Sequence, residues 1–203
     1  MFSGIVDAGA VERVEKRAED VRITVNLGPL AEDVAAGDSV AVNGVCLTAA
    51  GKAGKSVFFD VMPETQERTN LGSLSPGGKV NVELSLQTGD RIGGHFVMGH
   101  IDGTGRLLRK EREGRYATLW IRASPGLTRL MVPKGAVALD GVSMTLVEVR
   151  RDRFSVSVIP HTLQVTTLGS RRPGDSLNIE VDMIGKFIRK QLEEASPISR
   201  RRI

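Results

Sequence analysis

A stretch of nine residues occurs twice in this chain, and its recurrence limits what the rest can fold into. The first copy is Val40-Ala41-Val42-Asn43-Gly44-Val45-Cys46-Leu47-Thr48, and the second is Val137-Ala138-Leu139-Asp140-Gly141-Val142-Ser143-Met144-Thr145, 97 positions on. The register then holds without a gap: Pro63 falls on Pro160, Thr65 on Thr162, Thr69 on Thr166, Leu71-Gly72-Ser73 on Leu168-Gly169-Ser170, Pro76-Gly77 on Pro173-Gly174, and Asn81 and Glu83 on Asn178 and Glu180. From 40 to 83, 16 of 44 positions match their counterparts, where average composition gives roughly 3 by chance. Matched Gly and Pro fix turns, and matched apolar sites fix a core face, so both halves are expected to share one fold. A function for this chain must explain why the module is present twice.

The 203 residues then divide into two domains of about 95, each large enough for a small core. The join lies near Gly89-Asp90-Arg91-Ile92-Gly93-Gly94, too short for a floppy linker. The chain restarts at Gly99-His100-Ile101-Asp102, which resembles Gly4-Ile5-Val6-Asp7 at an offset of 95. The expected boundaries are 1–95, 96–182, and a C-terminal helix with a basic tail over 183–203.

Strand signals dominate both halves. Val21–Leu27 alternates with period two, and Ser39–Val45, Ser56–Met62, Lys79–Leu86, Ala117–Ile121, Ala136–Val149, Arg153–Ile159 and Ser176–Val181 read likewise. Short helices are expected at Pro63–Leu71, at its copy Pro160–Leu168, and at Pro125–Val132. Many short, evenly spaced strands predict a mainly β protein with a closed antiparallel barrel in each half. After Val181 the period changes. Ile184, Phe187, Ile188 and Leu192 form a helical apolar stripe that ends before Pro197 and has no counterpart in the first half. That stripe either packs on a barrel or pairs with copies of itself.

Composition excludes several classes. Hydrophobic residues are 40% and charged residues 26%, an ordinary globular balance without an 18-residue apolar run, so no membrane partner is expected. The N-terminus does not read as a signal peptide. Cys46 is the single cysteine, which rules out an internal disulfide or a cysteine metal cluster and points to the cytoplasm. The net charge of +4 is concentrated in Arg106 to Arg115 and in Arg200-Arg201-Arg202. With aromatics at 4% no stacking platform for nucleic acid is evident, so these read as a solvated loop and a frayed end.

No Walker loop, Rossmann fingerprint or zinc-ligand cluster is present. His95 and His100, five apart, would face opposite sides of a strand, which argues against a shared metal. His100 alone could serve as an acid or base near neutral pH. Cys46 and Ser143 are equivalent, each two residues before a threonine, so alternation places Cys46 with Thr48 and Ser143 with Thr145 on matching faces. The segments ending in Pro63-Glu64-Thr65 and Pro160-His161-Thr162 add hydroxyls and backbone amides able to hold a planar heterocycle.

At these residues a resemblance enters. Met1-Phe2-Ser3-Gly4-Ile5-Val6, Asn43-Gly44-Val45-Cys46-Leu47-Thr48, Gly93-Gly94-His95-Phe96-Val97-Met98-Gly99-His100-Ile101-Asp102-Gly103 and Asp140-Gly141-Val142-Ser143-Met144-Thr145 resemble the alpha-type riboflavin synthases over residues 1 to about 190. The resemblance implies two six-stranded Greek-key barrels, then a helix through which three subunits associate. It implies conversion of two 6,7-dimethyl-8-ribityllumazine molecules into riboflavin and 5-amino-6-ribitylaminouracil by transfer of a four-carbon unit, without cofactor or metal. In the family the site forms between the N-terminal barrel of one subunit and the C-terminal barrel of its neighbour, and the resemblance implies lumazine synthase as a further partner. Lumazine contacts carry over onto Gly4, Ile5, Val6, Cys46, Leu47, Thr48, Asp60, Val61, Met62, Pro63, Glu64 and Thr65 in the first half. In the second they fall on Gly99, His100, Ile101, Lys134, Ser143, Met144, Thr145, Ser157, Val158, Ile159, Pro160, His161 and Thr162. Turnover is implied for Phe2, Ser39, Cys46, His100, Ser143, Thr145 and Asp182. Ser3, Leu84 and His161 depart from the family's usual Thr, basic residue and acid. The alternative implied by the same fold is a non-catalytic lumazine or flavin carrier of the antenna type.

Overall fold

Two tight turns set the architecture. Asn43-Gly44 (φ 46° and 77°) and Asp140-Gly141 (φ 46° and 82°) both hold positive φ at their two central residues, the condition for a two-residue hairpin turn that matches strand twist. Each joins a short strand to a longer one in this computed structural model, which describes residues 1–195. The tail Arg200-Arg201-Arg202 lies outside the described residues.

The first half consists of β1 (Asp7–Lys16), β2 (Val21–Asn26), β3 (Ser39–Val42), β4 (Val45–Ala53), β5 (Ser56–Val61), α1 (Pro63–Arg68) and β6 (Lys79–Leu84). The second repeats it as β7 (Gly103–Glu113), β8 (Tyr116–Arg122), α2 (Pro125–Thr128), β9 (Ala136–Leu139), β10 (Val142–Val149), β11 (Arg153–Val158), α3 (Pro160–Val165) and β12 (Ser176–Val181), and α4 (Met183–Ala195) follows. The strands close into antiparallel barrels in the ring orders β1-β2-β5-β4-β3-β6 and β7-β8-β11-β10-β9-β12. Closure leaves no free sheet edge. Alternating residues fill each interior: Ile23, Val25, Phe59, Val80 and Val82 in the first barrel, and Leu119, Ile121, Phe154, Val156 and Ile179 in the second.

The expected fold class holds, with two corrections of detail. The run read over 136–149 is a hairpin, split at Asp140-Gly141. Strands β1 and β7 were not anticipated, and Arg106 to Arg115, read as a loop, lies mostly within β7. Their outer faces are charged, and a bulge interrupts each, between Val11 and Arg13 and between Leu107 and Arg109. Together these features hide the period of two.

The barrels meet about a pseudo-twofold axis. A Cβ on Gly44 would stand 2.5 Å from the backbone nitrogen of Gly141, so both turns need glycine for close approach as well as for φ. Around them lies a buried polar network that the repeat makes nearly symmetric. Asn81 Nδ2 donates to the Asp140 carbonyl and Asn178 Nδ2 to the Asn43 carbonyl, both at 2.9 Å. The Asp140 carboxylate is fully buried. Burial pushes it up, whereas Arg171 and the amides of Asn178 and Asn70 pull it down. Every contact is a donor, including Arg171 Nη2 at 2.7 Å, and such a shell suits a carboxylate and leaves a protonated acid no acceptor.

Candidate active site

The hairpins β3–β4 and β9–β10 present one small polar face each, on the outside of their barrels. In the first, Ser39 pairs with Thr48 and Ala41 with Cys46. In the second, Ala136 pairs with Thr145 and Ala138 with Ser143. Cys46 and Ser143 are half-buried and Thr48 and Thr145 exposed, in the same pattern. The halves differ at two positions of this face: Cys46 is matched by Ser143, and Ser39 by Ala136.

The restart segments complete these faces crosswise. The Cys46 N–H donates to the Gly99 carbonyl (2.9 Å), and the Ser143 N–H donates to the Gly4 carbonyl (2.8 Å). Gly4-Ile5-Val6 therefore sits with Ser143, and Gly99-His100-Ile101 with Cys46, opposite to the grouping expected from the sequence. Cys46 leaves no room for a side chain at Gly99, nor Ser143 at Gly4: an added Cβ would stand 2.5 and 2.6 Å from the respective Cβ atoms.

Two buried carboxylates hold the crossing segments. Glu83 accepts from Ser3 N and Ser3 Oγ (2.7 Å each) and from Gly4 N (3.0 Å). Its counterpart Glu180 accepts from Met98 N (2.6 Å), Gly99 N (2.8 Å) and His100 N (3.1 Å). Burial pushes both carboxyls up, opposed by these backbone donors. Replacing Glu180 by Gln sets an amide N–H₂ against backbone N–H donors and leaves a buried donor unpaired, at a cost of about 1–3 kcal/mol. The expected result for Glu180→Gln is a lower urea midpoint with an unchanged m-value. A wild-type midpoint would show that the Gly99 loop is held by other contacts.

His95 is a functional candidate that sequence reasoning considered only as a metal ligand. Its Nδ1 lies 2.7 Å from Ser143 Oγ, and its buried Nε2 has no protein partner. Burial holds the imidazole below its ordinary value, partly offset by the Asp182 carboxylate. Asp182 also accepts the Ile184 N–H at the start of α4 (3.0 Å). His95 and His100 thus serve opposite halves, and no group of three or more metal-ligating side chains occurs among the described residues.

The remaining expected residues fall as follows. Phe2 is fully buried between the barrels with Ala41, Val97, Ala138 and Cys46. The Asp60 carboxylate is gripped by Arg22 at 2.6 Å and Arg17 at 3.3 Å, and Arg22 holds it below the usual carboxylate range. Asp60 can therefore offer a ligand backbone groups more readily than its side chain. Val61 to Thr65 run from β5 into α1, and Ser157 to Thr162 from β11 into α3, with Met62 and Ile159 exposed. Thr69 and Thr166 bond back to the carbonyls of Thr65 and Thr162 (2.6 and 2.7 Å), so the two turns are built alike. Leu47 and Met144 point into the cores; the sites meet them only through backbone. Lys134 is exposed at φ 69° before β9, without a carboxylate partner among the described residues.

Comparison with known proteins matches this duplication. The model for the lumazine binding domain matches twice, over residues 3–85 and 98–182. The riboflavin synthase of Bacillus subtilis (strain 168) is 39% identical over 197 residues, covering 97% of this chain and 92% of that protein. The riboflavin synthase of Chlamydia pneumoniae is 44% identical over 189 residues, with 92% of each covered. Among solved structures, LumP complexed with riboflavin superposes with a TM-score of 0.84 at 26% identity, over 90% of this chain and 100% of that one. LumP complexed with 6,7-dimethyl-8-(1'-D-ribityl) lumazine gives 0.80 at 25%, over 89% and 99%.

Proposed function

The chain belongs to the riboflavin synthase family, and on that premise we propose how its unequal halves divide the reaction. It is a transferase that converts two 6,7-dimethyl-8-ribityllumazine molecules into riboflavin and 5-amino-6-ribitylaminouracil by moving a four-carbon unit. Donor and acceptor are the same compound, which gives a physical reason for two sites of one design. The observation that carries the division of labour is the asymmetry of those sites. The first offers Ser39, Cys46, Thr48 and, from the second half, His100; the second offers Ser143, Thr145 and His95, with Ile5 where the first has His100. Holding two lumazines in reactive orientation can supply up to about 7–11 kcal/mol. Proton removal from a ring methyl and proton delivery to the leaving amine remain for general acid–base groups, and His100 is suited to that work. Ser143 and its partner His95 hold the other molecule.

Transfer needs the two ligands face to face, and a neighbouring subunit supplies the second face. Helix α4 supports a homotrimer: Ile184, Phe187, Ile188 and Leu192 are each more than half exposed, an apolar stripe left uncovered within one chain. Cutting the chain after Asp182 is expected to convert a trimer in sedimentation velocity into smaller species and to abolish turnover. An unchanged oligomer would refute the role of α4. No helix among the described residues is long and apolar enough to cross a membrane, and we place the enzyme in the cytoplasm.

The carrier reading has in its favour the likeness to LumP. Incubating the purified protein with 6,7-dimethyl-8-ribityllumazine alone separates the two. The enzyme gives riboflavin and the uracil product in equal amounts, whereas lumazine recovered bound and unchanged would establish a carrier.

A further inference from the structure

Strand β8 turns Ala117, Leu119 and Ile121 into the second barrel and Trp120 to its outside. The indole is nevertheless only 5% exposed, because arginines cover it. The guanidinium carbons of Arg109 and Arg150 each stand 4.9 Å from its ring centroid. With Arg153 and Leu108 they line a recess of about 210 Å³. None of the segments assigned above to lumazine lines it.

Three features distinguish this recess from a solvated basic patch. Cation–π contact with one ring fixes two guanidinium planes, and such planes present paired N–H donors in a rigid fork. No carboxylate lines the recess: Glu111, Glu148 and Asp152 hold Arg109, Arg150 and Arg153 at 3.2, 2.8 and 3.9 Å but are not among the lining residues. Finally, Arg153 Nε is buried without a hydrogen-bond acceptor, since the Asp152 oxygen paired with it stands 3.9 Å away, and a buried donor lacking a hydrogen bond is a standing cost that a ligand oxygen can relieve. The first barrel shows what the repeat does without this device. There Arg13 pairs with Thr24 in the register where Arg109 pairs with Trp120, and the corresponding hollow is lined by Glu12 and Glu15 as well as by arginines.

We propose that the Arg109–Trp120–Arg150–Arg153 recess binds a phosphate group, either free or as the monoester of a small molecule. A tetrahedral oxyanion offers several acceptors to converging forks, and the volume admits the phosphate with little of whatever bears it. The carboxylates paired with Arg109, Arg150 and Arg153 compete with the ligand for these donors, so binding is modest and selective for fork geometry.

Trp120 is the chain's single tryptophan, so intrinsic fluorescence reports the recess directly. The full-length protein is titrated with inorganic phosphate, and separately with phenyl phosphate, at constant ionic strength maintained with sodium chloride. The expected result is a saturable change in tryptophan emission, with the tighter of the two ligands identifying the free or the esterified form. Arg150→Lys and Arg153→Lys keep the charge but lose the fork, and each should weaken binding about tenfold or more at an unchanged rate of lumazine turnover. Arg13→Lys in the first barrel should titrate as wild type. A response reproduced by chloride alone, or lysine variants that bind phosphate as wild type does, would overturn the proposal.

Discussion

Phe2→Ala is expected to lower the melting temperature by on the order of 10 °C and to slow single turnover by about 10²-fold or more. The ring is fully buried, and truncating a buried Phe costs about 3–5 kcal/mol. Its position makes the loss more than thermal. Phe2 and Val97 are repeat equivalents that exchange backbone hydrogen bonds across the pseudo-twofold axis, at 2.7 and 3.1 Å. They pack there on the equivalent pair Ala41 and Ala138. The ring edge also stands 3.0 Å from where a Cβ on Gly99 would be. A cavity here loosens the Gly99 loop beneath Cys46 and, through Ser3 and Gly4, the loop at Ser143. Displacements of about 1 Å at reacting groups can cost 10²-fold. The variant is assayed well below its own melting temperature, so that unfolding does not contribute. Wild-type turnover by folded Phe2→Ala would reduce Phe2 to packing alone.

The contrast between Phe2 and the repeat shows how far the sequence could be read. Asn43-Gly44 and Asp140-Gly141 announce hairpins because only a few residue types tolerate positive φ at both central positions. With the matched prolines and apolar residues they were enough for two like barrels. Strands β1 and β7 were hidden because their signal is carried by buried residues such as Val11 and Leu107 among charged ones. The crosswise placement of the loops was hidden for another reason. Repeat equivalence says that Gly4 and Gly99 do the same job, but not whether each does it for its own half or for the other. Long-range backbone contacts decide that, from Cys46 N to the Gly99 carbonyl and from Ser143 N to the Gly4 carbonyl, whereas Glu83 and Glu180 tie each loop to its own half. The identity of those two acids in the repeat is a clue to the anchoring of each loop but not to the crossing, which two backbone hydrogen bonds make without any side-chain signature. His95 left no such trace, because what matters is a 2.7 Å contact with Ser143 that no spacing rule connects.

The crossing also changes what His100 can test. Its backbone N–H is tied to Glu180 at 3.1 Å while its side chain is exposed, so replacing the imidazole leaves the loop anchored. It stands beside Cys46, in the half whose hairpin face also carries Ser39 and Thr48. Ile5 occupies the equivalent place beside Ser143 and cannot exchange a proton. If the first site does the acid–base work, equivalent positions must fail in different ways. His100→Gln keeps a polar side chain of similar reach but loses proton transfer, and kcat should fall by about 10²-fold or more with lumazine affinity within a few-fold of wild type. Ile5→Ala removes only apolar contact, so it should raise KM while kcat stays within a few-fold. Equilibrium dialysis with 6,7-dimethyl-8-ribityllumazine and single-turnover kinetics on both variants decide the matter. Equal losses of kcat would mean that the halves share the chemistry, and full turnover by His100→Gln would move the proton-transferring group elsewhere, with His95 next in line.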